Sequence, residues 1–406
     1  VALVTICVPG YRPGPRLAAT LQSVKDQTFH DFGCVIGFDP PAADQMRFAA
    51  PFLADPRFRC HENPERLGWD GNVAALMASV TTSLFMVLPH DDLLHPAYLE
   101  TLVAPMIADS SLSVAYADIW VFGSDAVPPI RAMDLPPRAA RIEQVTAFFL
   151  QGGEAVPWRG VTRSSVLHNH VFPMDGYGGF AVECEWALRL LIQAPAHRVP
   201  RPLFYKRAPP GGGTGTAIKR WRDLSLDGLT AAWNAHRMRM LQMIDEISEA
   251  DIAQRHLVQA AAEVALLHRF IQAVLLNRTP EEAREVMEDV IAAANSAIAG
   301  HLLAAGGGAL AAKIESRRIL AHAHWAIWQN DYKRGLTLLA EAEARDPENT
   351  DALFARARTL VRMGRFTEAL EPAMTVFSAS PARQGLPELL RAISKGMAKL
   401  AASDTA

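Results

Sequence analysis

The sequence is poor in the features that mark several protein classes. Only 4 of its 406 residues are cysteine: Cys7, Cys34, Cys60 and Cys184. None forms a Cys-x-x-Cys pair, and their spacing matches no zinc framework. This sparsity excludes a disulfide-stapled fold and suits a reducing compartment, with the four thiols acting as small buried hydrophobes. Positive charge is not in excess: 40 Lys and Arg stand against 43 Asp and Glu, for a net charge of −3. The electropositive footprint of a duplex-DNA binder is missing, and no nucleic-acid partner is expected. Long uncharged apolar runs are missing too. The stretch 258–276 is interrupted by Glu263, His268, Arg269 and Gln272, so it reads as an amphipathic helix. No transmembrane segment or signal peptide is expected. The expected location is the cytoplasm, with the inner membrane face as one place of work.

What is present is ordinary globular material, 50% hydrophobic and 20% charged, in a chain long enough for two or three domains. The first half alternates strand-like and helix-like patterns. Residues 2–9 form a β-branched run closed by Gly10-Tyr11-Arg12-Pro13-Gly14, and Leu17, Leu21 and Val24 follow at helical spacing. Further strand signals lie at 32–38, 58–61, 83–88 and 114–122. A helix is expected over 70–80, and another opens near Pro96 and runs to Ala108. This order predicts an α/β fold with a mixed, mostly parallel sheet covered by helices on both faces.

Strand signals largely vanish beyond the break at 209–216, Pro-Pro-Gly-Gly-Gly-Thr-Gly-Thr. Helical patterns occupy 217–248, 251–276 and 280–303, and Gly306-Gly307-Gly308 makes a second break. A repeat of 34 residues then relates Ala323 to Ala357, Tyr332 to Phe366 and Pro347 to Pro381. The pattern resembles tetratricopeptide repeats at about 316–349 and 350–383. Its first copy is degenerate, with Asn330 and Gly335 where Gly and Ala are usual, and 386–400 reads as a capping helix. The expected organisation is an α/β domain at 1–215, a helical linker region at 216–310 and an all-α repeat region at 311–406.

Several residues could carry chemistry. Asp91 and Asp92 follow a buried strand at its carboxyl end, where open α/β sheets bind ligands. Hard carboxylate oxygens suit Mg²⁺ or Mn²⁺, with His90 as a further candidate ligand. The same residues could equally form a solvated turn before the next helix. Asp39 closes the second strand on that edge and could accept hydrogen bonds from a base or ribose, or form an Asx turn. Pro9 and Tyr11 close the first strand there. Glu183 and Glu185 open a helix, a place where acids favour the helix dipole and where a general base could stand. Lys206 and Arg207 end a later strand beside the glycine-rich break. There a cation pair could hold a diphosphate leaving group. The break itself could serve as a lid or a plain linker.

Taken in order, these pieces resemble the GT-A glycosyltransferases of family 2. The carrying segments are Val4-Thr5-Ile6-Cys7-Val8-Pro9-Gly10-Tyr11, Leu21-Gln22-Ser23-Val24-Lys25-Asp26-Gln27-Thr28, Leu67-Gly68-Trp69-Asp70-Gly71-Asn72, Leu88-Pro89-His90-Asp91-Asp92, Glu183-Cys184-Glu185 and Tyr205-Lys206-Arg207. The resemblance covers about the first 215 residues. It implies an inverting transfer from a nucleotide sugar, UDP-sugar favoured, assisted by Mn²⁺ or Mg²⁺. Donor contacts would fall at Pro9, Tyr11, Asp39, Gly68, Asn72, Asp91, Lys206 and Arg207, with metal contacts at Asp91, Asp92 and His90. The base would be Glu183 if Arg189-Leu190 keep the family's helix register, with Glu185 the alternative. The acceptor would be a glycan, a lipid-linked molecule or a protein, in surface polysaccharide synthesis or protein glycosylation. The repeats would add a protein partner. Pro89 stands where the metal motif usually has its first Asp. That departure leaves a second reading, a degenerate non-catalytic domain serving as an interaction scaffold. A nucleotidyltransferase is a weaker rival, because Gly10 to Arg16 does not make a strong phosphate loop.

Overall fold

The computed structural model describes every residue except 1, 13, 42, 124–129, 138, 169, 175–179, 209–223, 249, 382, 384 and 404–406. The glycine-rich segment 209–216, a candidate lid, therefore lies outside the described residues. The chain divides into two compact units, Val1–Ala250 and Asp251–Ala406.

The first unit runs β1 Val4–Gly10, α1 Arg16–Lys25, β2 Phe32–Phe38, α2 Ala43–Met46, β3 Phe58–Glu62, α3 Gly68–Ala78, β4 Leu84–Val87, β5 Leu93–Leu94 and α4 Tyr98–Ala108. It continues with β6 Val114–Phe122, β7 Ile130–Arg131, α5 Arg141–Leu150, β8 Val161–Arg163, α6 Val182–Gln193, β9 Ala196–Arg207 and α7 Leu226–Asp245. The strands form one sheet in the order β3-β2-β1-β4-β8-β6-β9-β5, with β7 added on β6. Strands β3, β2, β1 and β4 are parallel. β8 lies antiparallel between β4 and β6, β9 runs parallel to β6, and β5 pairs antiparallel with the end of β9. The sheet is thus mixed. All seven residues of β1 are buried, as expected for a central parallel strand that reads as a continuous apolar run.

Parallel register brings the carboxyl ends of β1, β2 and β4 to one edge: Gly10 pairs with Phe38, and Cys7 with Val87. The short β5 pairs Leu93 with Tyr205, which draws the end of β9 to the same edge. The helix Leu226–Asp245, expected in a linker region, packs on α6 within the first unit. It is anchored there by side-chain pairs from Glu185.

The second unit is all-helical: α8 Ile252–Asn277, α9 Pro280–Ala305, α10 Ala309–Trp328, α11 Tyr332–Arg345, α12 Thr350–Arg362, α13 Phe366–Ala379 and α14 Leu386–Ser403. Reciprocal capping boxes, Asp251 with Gln254 and Thr279 with Glu282, start α8 and α9. By length and composition Ile252–Leu276 is long and apolar enough to cross a membrane, as the core helix of a soluble protein can also be. Of its apolar window, 72% is buried inside the structure. The 34-residue repeat has a direct geometric meaning. Asn330 and Gly364 hold the same left-handed turn, at φ 64° and 74°, where Gly is the easy choice and Asn the tolerated one. Ala323 and Ala357 are fully buried at equivalent positions. Gly335 lies so close to Ile327 that a Cβ would fall 2.5 Å from its Cγ1, so this degenerate position relieves crowding.

Candidate active site

The candidate site is assembled at the carboxyl edge of the parallel strands, and helix α1 scaffolds it. The Thr20 hydroxyl lies 2.9 Å from the His90 carbonyl and 2.8 Å from that of Asp92, its one proton shared between them. Ser23 Oγ accepts from Leu94 N–H at 3.2 Å. Gln27 donates to the His95 carbonyl and accepts from Leu99 N–H, each at 2.9 Å. Thr28 donates to Glu100 at 2.7 Å. The Ser-Val-x-x-Gln-Thr signature is therefore a set of pegs that fix the loop carrying Asp91 and Asp92. No substrate contact is needed to account for it.

One corner of the edge is a closed network around Asp39, which is buried. One carboxylate oxygen accepts from Asn63 Nδ2 at 3.0 Å and Leu67 N–H at 3.2 Å, and the other from Gly68 N–H at 2.8 Å. Asn72 Nδ2 donates to the Gly37 carbonyl at 2.9 Å, and Asn72 Oδ1 accepts from Asn63 at 3.2 Å. Gly68 takes φ +78°, a conformation that L side chains rarely adopt. Asp39, Gly68 and Asn72 were expected to contact the donor. In the structure their polar groups lock the 63–72 turn onto the end of β2. Tyr11 is half-buried, with guanidiniums near its ring from Arg12 at 5.3 Å and Arg66 at 4.4 Å. Arg66 was not singled out from the sequence.

The other corner holds charges. Asp91 is the more open acid, with Arg16 at 3.9 Å. Asp92 is buried: one oxygen accepts from Arg207 N–H at 2.9 Å and the other lies 4.0 Å from Arg159 Nε. Burial pushes the Asp92 carboxyl up to about 7, against the pull of Arg159 and with a further push from Asp91. Lys206 is driven down to about 8, first by burial and then by Arg159 and Arg131, with Asp92 and Glu183 opposing. Arg207 is committed locally, its Nε donating to the Asp91 carbonyl at 3.2 Å and its guanidinium 4.6 Å from the centre of the Phe122 ring. His90 Nδ1 is engaged with the Pro9 carbonyl at 3.0 Å.

The two candidate bases differ sharply. Ala181 takes a left-handed conformation, φ 53°, before α6 starts, a strained turn for a residue with a Cβ. Glu183 then sits in the first helical turn, within electrostatic reach of Arg159 and Lys206. It makes no hydrogen bond among the described residues. Glu185 is fully buried between α6 and α7. Its Oε1 lies 2.6 Å from His236 Nδ1, and Arg239 spans both oxygens at 2.8 Å. Burial raises its pKa, but the hydrogen bonds from His236 and Arg239 outweigh that and leave it lowered. The structure therefore removes Glu185 from candidacy as base: an acid so held neither reaches a substrate nor takes up a proton readily.

A metal expected at Asp91, Asp92 and His90 fits only in part. Among the described residues no cluster of three or more His, Cys, Asp or Glu could hold an ion. Asp92 is turned to Arg159 and Arg207, whereas His90 engages a backbone carbonyl through Nδ1 and keeps Nε2 for a ligand. Asp91 alone offers an accessible hard oxygen. That suits an ion which keeps most of its water and takes phosphate oxygens from a ligand.

Comparison with known proteins gives the likeness of the two halves of the chain. Residues 5–162 match the family model Glycosyl transferase family 2, and residues 326–372 match Tetratricopeptide repeat. Glu183, Lys206 and Arg207 lie beyond the first match. The chain is 26% identical over 218 residues to Uncharacterized protein MT1568 of Mycobacterium tuberculosis, spanning 50% of this chain and 67% of that protein. Among solved structures it is similar to S. aureus TarS 1-349 in complex with UDP-GlcNAc. That likeness has a TM-score of 0.58 and 13% identity, covering 85% of this chain and 92% of that one. The same protein in complex with UDP gives a TM-score of 0.55 at 12% identity, covering 82% and 91%.

Proposed function

We propose, from the match of residues 5–162 to the family 2 glycosyltransferase model and from the geometry of the site, that the chain moves a sugar from a nucleoside-diphosphate donor to an acceptor hydroxyl with inversion. The observation that carries this reading is the placement of Glu183. Glu183 is half-buried, sits in the first turn of a helix, and lies within electrostatic reach of the buried cations Lys206 and Arg159. Glu183 takes the proton of the acceptor hydroxyl as that oxygen bonds to the anomeric carbon. The bond from that carbon to the diphosphate breaks, and its electron pair leaves with the phosphate. Attack from the face opposite the leaving group inverts the carbon, with no covalent enzyme intermediate. Lys206 offsets the charge arriving on the leaving group. A divalent ion, Mn²⁺ or Mg²⁺, would be held by Asp91 and, when bound, supplies charge stabilisation at the diphosphate.

UDP-sugar is the donor class we favour, because the TarS structures of similar fold hold UDP-GlcNAc and UDP. The acceptor belongs to a glycan, a lipid-linked molecule or a protein, and the repeat region offers a surface for a protein partner. A second reading, a donor-binding scaffold without turnover, is favoured by Pro89 in the metal motif and by the absence of a three-ligand cluster among the described residues.

The test is calorimetric titration of the full chain with UDP, GDP and dTDP, with and without Mn²⁺, alongside turnover of the matching sugar nucleotides. Metal-dependent binding of one nucleotide, lost in Asp91→Ala, together with donor hydrolysis supports the transferase. Binding with no turnover supports the scaffold. No nucleotide binding under any metal condition overturns both.

A further inference from the structure

A buried cation that no sequence motif singled out stands in the middle of this site. Arg159 ends a single helical turn, Pro157–Arg159, ahead of β8. The turn is held tightly: Gly160 packs so close to the Ala115 carbonyl that a Cβ has no room. Trp158 is buried and meets Trp69 edge-on at 5.6 Å, so the locked 63–72 turn also supports this residue. The Arg159 guanidinium lies 5.1 Å from the Trp158 ring and 5.5 Å from Phe204. Only 13% of its side chain is exposed. NH1 donates to the Ala155 carbonyl at 3.3 Å, but the buried Nε has no hydrogen-bond partner among the described residues.

This arrangement costs stability as it stands. Arg159 and Lys206 are both desolvated and repel each other, and burial lowers the pKa of each. The available anions are Asp92, 4.0 Å from Nε and already accepting from Arg207 N–H, and Glu183. A buried donor left unanswered costs free energy comparable to a lost hydrogen bond. Two neighbouring buried cations are compensated best by a multiply charged anion entering between them. A guanidinium fork matches phosphate oxygens. Arg207, the residue expected beside Lys206, is already tied to the Asp91 carbonyl and the Phe122 ring.

We propose that Arg159, paired with Lys206, binds the phosphate of the nucleoside diphosphate at this site and stabilises it as the leaving group. The inference rests on the donor reading above and identifies the side chain that recognises the diphosphate. Arg207 is then a strand-end brace for the Asp91 loop.

The experiment is calorimetry of the full chain with UDP and, separately, uridine, both in EDTA so that no ion contributes. The wild type should bind UDP more tightly than uridine. Arg159→Gln should weaken UDP about tenfold or more and leave uridine unchanged. Arg159→Lys should recover part of the loss, because an ammonium keeps the charge without the fork. Removing Arg159 leaves Asp92 buried without its cation, so the double variant Arg159→Gln, Asp92→Asn is measured as well. If that variant folds and shows the same selective loss of UDP, the effect belongs to the phosphate contact and not to misfolding. Equal weakening of UDP and uridine, or no change in UDP, overturns the role of Arg159 while the donor site stands. A wild type that binds UDP no better than uridine overturns the donor reading and this inference together.

Discussion

Two corners of one sheet edge treat a buried carboxylate in opposite ways. Asp39 is answered by three donors, two of them backbone N–H groups, and its neighbours Asn63 and Asn72 complete the circuit. Asp92 is equally buried but sits among cations whose own donors are not all answered. A closed polar network stabilises one conformation and asks for nothing more. An open one keeps a desolvation cost that a ligand can recover, and perturbed charges in such a place mark chemistry. The contrast recurs within one helical turn, where Glu183 is half-buried and Glu185 is clasped by His236 and Arg239.

The sharpest way to break that contrast is to treat the two glutamates alike. Glu183→Gln should lower turnover by about 10²–10⁴-fold, with a smaller loss of stability than Glu185→Gln, because Glu183 makes no hydrogen bond among the described residues and only offsets Arg159 and Lys206 at a distance. Glu185→Gln should cost about 3 kcal/mol of stability, because it leaves the His236 and Arg239 side of a buried pair uncompensated. Any residual folded protein should keep its nucleotide affinity. Steady-state transfer assays and denaturant unfolding of both variants decide this. If Glu185→Gln is fully stable and inactive, the assignment of the two residues is reversed.

A third kind of buried group extends the comparison to the helical unit. His268 Nε2 lies 2.8 Å from His324 Nδ1, a bond that requires at least one neutral ring. Burial, the leading cause, lowers His268 to about 4 and His324 to about 3. Asp351 pulls each upward, and nearby arginines, Arg317 beside His268 and Arg358 and Arg383 beside His324, push them down. His322, lowered to about 4 mainly by burial, behaves alike. Because the folded values lie below the ordinary histidine value of 6.5, the unfolded chain binds more protons as the pH falls. Stability is therefore complete above about pH 6.5 and is lost towards pH 4, by on the order of 3 kcal/mol for His268. Urea unfolding followed at pH 7, 5.5 and 4.5 should show this fall, and His268→Gln with His324→Gln should flatten it. A flat wild-type profile would contradict it.

The smallest expected effect tests the closed corner. Asn72→Ala removes the donor to the Gly37 carbonyl and one of the two acceptors of the Asn63 amide, which keeps Asp39, at a cost of about 1–3 kcal/mol. Nucleotide affinity should fall only as far as the 63–72 turn loosens. A large loss of affinity in a fully stable Asn72→Ala protein would instead place Asn72 in direct contact with donor.

Much of the scaffold was legible in the sequence. Strands 32–38 and 114–122 were readable to the residue because β-branched and aromatic runs ended at turn signals, and their observed bounds are Phe32–Phe38 and Val114–Phe122. The 34-residue repeat was legible because helix packing requires small residues at fixed positions. The site was less so. Lys206, Asp91 and Glu183 were nameable from motif order, but Arg159 belonged to no motif and no periodicity marked it. Its only faint signal was a Pro-Trp-Arg-Gly turn. Glu185 looked equivalent to Glu183 because an acid in a first helical turn reads the same whether it faces a ligand or another helix. The helix that settles the matter, Leu226–Asp245, lies more than thirty residues away and had been expected in a linker region.

The sequence by itself determined the alternation of strands and helices, the repeat, and which acids and cations stand at strand and helix ends. Those follow from local periodicity, from turn chemistry and from spacing along one chain. Only the tertiary structure decided which of these groups are spent and which are available. Asp39, Glu185 and Arg207 are engaged by partners far away in sequence, while Arg159, from a segment with no signature, is delivered beside Asp92 and within electrostatic reach of Glu183. Burial and pairing depend on what folds against a residue, and a side chain's surroundings, more than its identity, set whether its charge supports the fold or serves a substrate.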